Sequence, residues 1–177
     1  MDHHDDHHDD RPDLDHRILT ALHARGAAPR VAAAARALSL AGEHGALWLA
    51  AGLAGAAVDR ERRGAWLRGT ALTAGAHLAS MGVKRLVRRP RPVHVQPLVR
   101  TAGRHSFPSS HATSAAAAAV AFGALGAHVV PPLAAAMCLS RLVVGVHYPS
   151  DVAAGAALGA MTARLGARWM TGGRNHG

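Results

Sequence analysis

Three short segments of this chain concentrate residues that can handle a phosphoryl group. Lys84-Arg-Leu-Val-Arg-Arg-Pro-Arg91-Pro92 offers cations, and Pro108-Ser109-Ser110-His111 offers two hydroxyls and an imidazole. Ser140-Arg141-Leu-Val-Val-Gly-Val-His147-Tyr-Pro-Ser-Asp151 adds a guanidinium, a second imidazole and a carboxylate. Phosphoryl transfer requires cations around the equatorial oxygens, a nucleophile in line and an acid for the leaving oxygen. Lys84, Arg91 and Arg141 can supply the cations, arginine with a planar fork that matches phosphate. His111 follows two serines at an expected helix start, where unpaired backbone N–H groups favour an anion. Asp151 comes four residues after His147, across a Tyr-Pro-Ser turn. It can accept the His147 Nδ1 proton, leave Nε2 free to attack, and cap the helix that follows.

The elements that must position these segments are helical. Apolar stretches cover roughly 46–58, 65–83, 112–127, 129–146 and 152–170. Several are shorter than the ~20 residues an untilted membrane span needs. They nevertheless hold His77, Ser80, His111, Ser140 and Arg141, polar groups of the kind that face the interior of a membrane bundle. They are also rich in Ala and Gly, which lets backbones approach closely. A soluble helical bundle would need more charge than these stretches carry. The expected fold is therefore all-α: a polytopic membrane bundle of about five transmembrane helices. If the spans alternate direction, the end of the second, the start of the third, the end of the fourth and the start of the fifth share one face, and the three segments meet there.

The remaining chain divides simply. Residues 1–13 form a polar His/Asp-rich tail with no apolar core, a solvated extension whose paired imidazoles and carboxylates could also sense metal or pH. Residues 14–40 carry Leu14, Ile18 and Leu22, then Val31, Ala35 and Leu38, at near-helical spacing. Gly26 to Pro29 breaks that stripe into two short amphipathic helices, expected at the membrane interface. Residues 41–172 make the membrane-embedded domain, and 173–177 are a polar C-terminal tail.

Composition excludes other classes. The formal charge of +9 is consistent with a nucleic acid, a membrane surface or an anionic substrate. Aromatics are only 3% of the chain and do not interleave with the cations, which argues against nucleic acid. The single cysteine, Cys138, excludes an intramolecular disulfide and a multi-thiolate zinc site, and its apolar setting makes it a small hydrophobe. No dedicated metal site is evident.

The three segments resemble the type 2 phosphatidic acid phosphatase superfamily, whose pattern is Lys-x6-Arg-Pro, then Pro-Ser-Gly-His, then Ser-Arg-x5-His-x3-Asp. The first and third match in full; the second departs once, with Ser110 where the family usually has Gly. The resemblance implies His147 as nucleophile, Asp151 as its orienting partner, and His111 as the acid that protonates the leaving alkoxide and later activates water. It implies Lys84, Arg91, Ser109, Ser110 and Arg141 as phosphate ligands, and no cofactor or metal. The wider sequence is similar to short actinobacterial members of the membrane branch that dephosphorylate a polyprenyl-linked phosphopentose. The carrying blocks include Leu38-Ser-Leu-Ala-Gly-Glu-His44 and Ser106-Phe-Pro-Ser-Ser-His-Ala-Thr113. The expected partner is a phosphorylated polyprenyl or other lipid in the cell membrane.

Some readings stay open at this level. Glu43 and His44 either cap the first span or touch the substrate headgroup. Arg85, Arg88 and Arg89 fit interfacial anchors, with Arg88 a possible headgroup contact, and His77 fits an interior histidine. Undecaprenyl diphosphate or phosphatidylglycerol phosphate would suit the same chemistry. Other classes are a vanadate-binding haloperoxidase and a non-catalytic membrane lipid-binding protein. Arginines fall on both sides of the bundle, with an excess on the active-site face that favours a cytoplasmic site.

Overall fold

A computed structural model describes residues 13–101 and 103–172. The tails expected at 1–13 and 173–177 lie outside it, save Asp13. The described chain is all-α. Helix α1, Leu14–Arg25, starts at Asp13, whose Oδ1 accepts the His16 N–H at 2.9 Å, and ends at Gly26. Helix α2, Pro29–Ala41, starts on proline at its first position, so the expected break at Gly26 to Pro29 is present. A short 3₁₀ turn, Glu43–Gly45, then redirects the chain, with His44 and Gly45 both left-handed at φ 53° and 75°.

Helix α3 spans Ala46–Val58 and α4 spans Arg63–Val87; α5 is Ser110–Gly123, α6 is Val130–Val143, α7 is Pro149–Leu165 and α8 is Ala167–Thr171. Differences from the apolar stretches have local causes. Hydropathy carries the fourth stretch through Val144 and Val146, but Gly145 at φ 73° turns the backbone there and ends α6. The fifth stretch is split at Gly166, which ends α7 and precedes α8, and the Leu72 side chain packs against it where a Cβ would sit.

Helix α5 is the central element, packed against α3, α4, α6 and α7. Its Ala112, Ala115, Ala117 and Ala118 are wholly buried, and Phe122 joins Trp48, Trp66, Met137 and Met170 in the main core. Small residues set the spacing to α7. A Cβ at Gly159 would collide with the Thr113 carbonyl oxygen, and one at Gly155 would meet the Ser109 carbonyl oxygen at 2.5 Å. Helices α1 and α2 dock on α6, with α1 also reaching α7. Leu19 of α1 is fully buried beside Val95, Leu142, Tyr148 and Val152.

No helix among the described residues is long and apolar enough to cross a membrane. Helices α3, α5, α6 and α7 have 13, 14, 14 and 17 residues. At 1.5 Å per residue these reach roughly 20–26 Å, short of the ~30 Å hydrocarbon core. Helix α4 has 25 residues but carries Arg63, Arg68, Lys84 and Arg85. Of the expected polytopic bundle the structure shows the all-α architecture and helices at the five apolar stretches; none of those described has the apolar length of a membrane span.

Candidate active site

The end of α4, the start of α5, the end of α6 and the start of α7 do converge, and between them lies a cavity of about 310 Å³. Lys84, Arg91, Ser110, His111, Arg141 and His147 line it. Helix α4 delivers Lys84 from its last turn, and α5 delivers Ser110 and His111 from its first. Arg141 stands in the last turn of α6, and His147 lies in the tight connection before α7.

His147 is 2% exposed and Arg141 likewise 2%, so both act in a desolvated setting. Burial pushes the His147 imidazole below its ordinary pKa, and the nearby cations Arg141, Arg91 and Lys84 add to that; the Asp151 carboxylate works the other way without prevailing. The ring is therefore neutral at pH 7. Arg91 Nη1 lies 3.4 Å from His147 Nε2. A guanidinium can only donate, so Nε2 presents its lone pair and the ring proton belongs on Nδ1. Nδ1 points to Asp151 Oδ2 at 3.6 Å, within ion-pair reach but beyond a hydrogen bond, and it has no other partner among the described residues.

Asp151 is fully buried and satisfied on both oxygens. Oδ2 accepts the Tyr148 N–H at 2.8 Å, closing the first turn of α7 as a cap; Oδ1 accepts from Arg89 Nη1 at 2.9 Å. Arg91 is anchored by donating to the Gly103 and Val146 carbonyls, each at 2.8 Å. Lys84 Nζ donates to the carbonyls of His105 and Ser106 at 3.2 and 3.3 Å. Arg141 donates to the Ser39 hydroxyl through Nη1, while its buried Nε has no partner among the described residues. A cavity lined by an incompletely bonded guanidinium is ready to accept an anion. His111 Nε2 donates to the Ser39 carbonyl at 3.1 Å, which leaves Nδ1 for proton exchange.

Two expected residues are not placed in the cavity. Ser109 is fully buried behind it; its N–H donates to the Asp151 carbonyl at 3.0 Å and its Oγ caps α5 by accepting from Ala112 N–H at 3.4 Å. It serves to join α5 to α7, because the capping position that a Pro-Ser start provides turns the side chain back on its own helix. Arg88 ends α4 in a left-handed conformation, φ 51°, and its Nε donates to the Arg85 carbonyl at 3.0 Å, away from the cavity. Glu43 and His44 do line the cavity, as does His77.

Sequence reasoning missed Ser39, Arg100 and Thr101, which also line the cavity, and Ser80, whose hydroxyl lies 2.8 Å from that of Ser110. Ser39 was visible as the one hydroxyl in an otherwise apolar stretch of α2. Arg100 and Thr101 sit in a loop whose path no periodicity reveals. A larger cavity of about 470 Å³ lies beyond Arg91 and, among the described residues, is lined by no histidine or carboxylate.

A neutral, buried imidazole, three cations and a second imidazole lining one cavity of an all-α bundle are the groups that phosphoryl transfer calls for. Residues 65–174 match the family model of the PAP2 superfamily, and the chain belongs to that superfamily. It is a phosphatase, a phosphoric monoester hydrolase, rather than a non-catalytic binder. The decaprenylphosphoryl-5-phosphoribose phosphatase of Mycolicibacterium smegmatis is 46% identical over 154 residues, covering 82% of this chain and 83% of that protein. Aquifex aeolicus LpxE has a crystal structure that superposes with a TM-score of 0.73 at 18% identity, over 89% of this chain and 97% of that one. The transmembrane PAP2-type phosphatidylglycerolphosphate phosphatase of Bacillus subtilis gives a TM-score of 0.61 at 20% identity, over 92% and 96% respectively.

Proposed function

We propose that this protein is a membrane phosphatase that removes the 5-phosphate of decaprenylphosphoryl-5-phosphoribose through a phosphohistidine at His147. The observation that carries the reaction is the 3.4 Å approach of Arg91 Nη1 to His147 Nε2, which sets a phosphate-binding cation beside a nucleophilic lone pair. The substrate follows from the 46% identity to a phosphatase of that name over more than four-fifths of both chains.

In the first step the Nε2 lone pair attacks phosphorus and the phosphorus–oxygen ester bond breaks. The substrate enters as the phosphate monoanion and gives its proton to His111 Nδ1, and the departing ribose alkoxide takes that proton. Lys84, Arg91 and Arg141 hold the three equatorial oxygens, and Ser110 adds its hydroxyl and first-turn N–H. In the second step neutral His111 removes a proton from water, the hydroxide attacks phosphorus, and the phosphorus–nitrogen bond returns its electron pair to Nε2. Asp151 stabilises the positive charge that His147 acquires. Glu43 and His44, at the exposed edge of the cavity, contact the pentose hydroxyls.

The lipid-facing belt is supplied by large apolar residues exposed around the bundle. Leu53, Val58, Leu78, Leu139 and Leu165 are 56%, 86%, 66%, 55% and 83% exposed, more than a water-facing surface of this size would carry. Helices shorter than the bilayer core are accommodated by local thinning and by flanking arginines that reach the headgroups. The arginine excess on the active-site face supports a cytoplasmic orientation of the site.

Phosphate release by the detergent-purified chain tests the substrate. The probes are decaprenylphosphoryl-5-phosphoribose, undecaprenyl diphosphate, phosphatidylglycerol phosphate and ribose 5-phosphate. The expected result is a kcat/KM for the first at least about 10-fold above the others, a difference of about 1.4 kcal/mol. Equal rates on all four contradict the assignment.

A further inference from the structure

Arg89 lies in the run after α4 that sequence alone presents as surface anchors, yet its guanidinium makes contacts on three sides. Nη1 donates to Asp151 Oδ1 at 2.9 Å and to the Ser150 hydroxyl at 2.7 Å, and Nη2 donates to Asp15 Oδ2 at 2.9 Å. Its Cζ sits 4.1 Å above the centre of the Tyr148 ring, a cation–π contact that fixes the plane of the fork. Asp15 in turn accepts the Ser150 N–H at 3.0 Å and also the Ser150 hydroxyl. One arginine therefore joins α1 to the first turn of α7, and through Asp151 to the cavity.

We propose that Asp15 and Arg89 form a latch that positions Asp151 against His147, so that the N-terminal helix sets the reactivity of the nucleophile. The proposal rests on His147 being that nucleophile. Asp151 Oδ2 must keep its 3.6 Å relation to His147 Nδ1 as charge develops on the ring. The Tyr148 N–H holds Oδ2 from one side only. Without a partner on Oδ1 the carboxylate turns about its terminal torsion, which has a broad, shallow preference. Arg89 supplies that partner, and Asp15 orders Arg89, whose long side chain would otherwise sample many rotamers.

Electrostatics act in the same direction. Burial opposes the Arg89 charge, but the carboxylates of Asp15 and Asp151 outweigh it and hold the guanidinium above its ordinary pKa. On its outer side the latch faces Asp13, His16, His94 and Tyr148. On the inner side Asp151 faces His147, Arg91 and Lys84. Removing Arg89 deletes the cation in direct contact with Asp151, so the Asp151–His147 pair binds a proton more readily. The acid limb of the rate profile then moves to higher pH. A purely structural contact would not move it.

The test is a double-mutant cycle on the full chain in detergent, with decaprenylphosphoryl-5-phosphoribose and, as a second probe, phosphatidic acid. Arg89→Met is expected to lower kcat by about 10- to 100-fold with little change in KM, the scale of a small misplacement of reacting groups. Asp15→Asn lowers kcat less, Arg89→Lys restores part of the loss, and the Asp15→Asn/Arg89→Met double variant is no worse than Arg89→Met alone. Additive losses, or an unchanged kcat and acid limb in Arg89→Met, overturn the latch. If Arg89→Met fails to fold, the same cycle is run with Arg89→Lys. His147→Asn in the same assay separates the two ideas. An active His147→Asn enzyme removes the nucleophile assignment itself, whereas an inactive one beside a fully active Arg89→Met removes only the latch.

Discussion

His147 Nδ1 stands 3.6 Å from Asp151 Oδ2, with the imidazole 2% exposed and the carboxylate fully buried. Such a pair is loosely bonded while the ring is neutral and becomes strongly attractive once His147 carries positive charge in a buried, low-dielectric setting. The arrangement favours the phosphorylated ring over the resting one, which is where catalysis needs the stabilisation.

Asp151→Asn keeps the shape of the side chain and an oxygen for the Tyr148 N–H, but removes the charge. The expected result is a fall in kcat of about 10²- to 10⁴-fold, by analogy with orienting carboxylates elsewhere. Thermal melting in detergent, followed by circular dichroism, should show the helices still folded. Activity near wild type would show that the carboxylate charge is not used.

Arg141 is held by the Ser39 hydroxyl and lines the cavity with its guanidinium. Lysine at this position keeps a charge but loses the fork. Arg141→Lys should lower kcat/KM by about 10²- to 10³-fold, the usual range for one lost transition-state donor. Ser39→Ala should cost less, because it loosens the guanidinium without removing it. A larger loss from Ser39→Ala than from Arg141→Lys would reverse this assignment.

The contact between α5 and α7 depends on Gly159, where a Cβ would strike the Thr113 carbonyl oxygen. Gly159→Val should destabilise the bundle by about 1–3 kcal/mol, the range for overpacking a tight interface. Gly75 has no neighbour within 4 Å of a built Cβ, so Gly75→Ala should leave the melting temperature unchanged or raised. Equal effects at the two positions would argue against the close helix approach.

Acid should release α1 before the rest of the bundle. Burial opposes the Asp15 charge, but hydrogen bonds from Ser150 and Arg89 hold its carboxyl below the ordinary aspartate value. A depressed carboxylate contributes stability above its unfolded pKa, about 3.9, and that contribution is lost as pH falls through the lower folded value. Pepsin cleavage within α1 should therefore rise below about pH 4 beyond the protease's own pH dependence. Asp15→Asn should be cleaved readily throughout. A flat wild-type profile would contradict this.

Much of this site was legible because it is written in contiguous motifs whose helix-end positions follow from the alternation of spans. Lys84, Arg91, Ser110, His111, Arg141 and His147 meet as their segments require. Ser109 and Arg88 were not separable from them by type. A hydroxyl at a helix start can face ligand or its own backbone, and one arginine among several in a run carries no mark of its direction. The role of Arg89 was hidden for the same reason. Its partner Asp15 lies far away in sequence, so only the docking of α1 on α6 and α7 brings them together. Helix ends at Gly145 and Gly166 were missed because hydropathy continues past both, while at Gly145 left-handed backbone geometry decides where the helix stops.

The central claim is that His147 carries the phosphoryl group. Wild-type enzyme and a His147→Asn variant should be mixed with decaprenylphosphoryl-5-phosphoribose labelled with ³²P at the 5-phosphate and quenched in base within the first turnover. The account predicts a base-stable, acid-labile label on the peptide containing His147 in the wild type, absent in His147→Asn. Steady turnover by His147→Asn, or label recovered on any other residue, would contradict it.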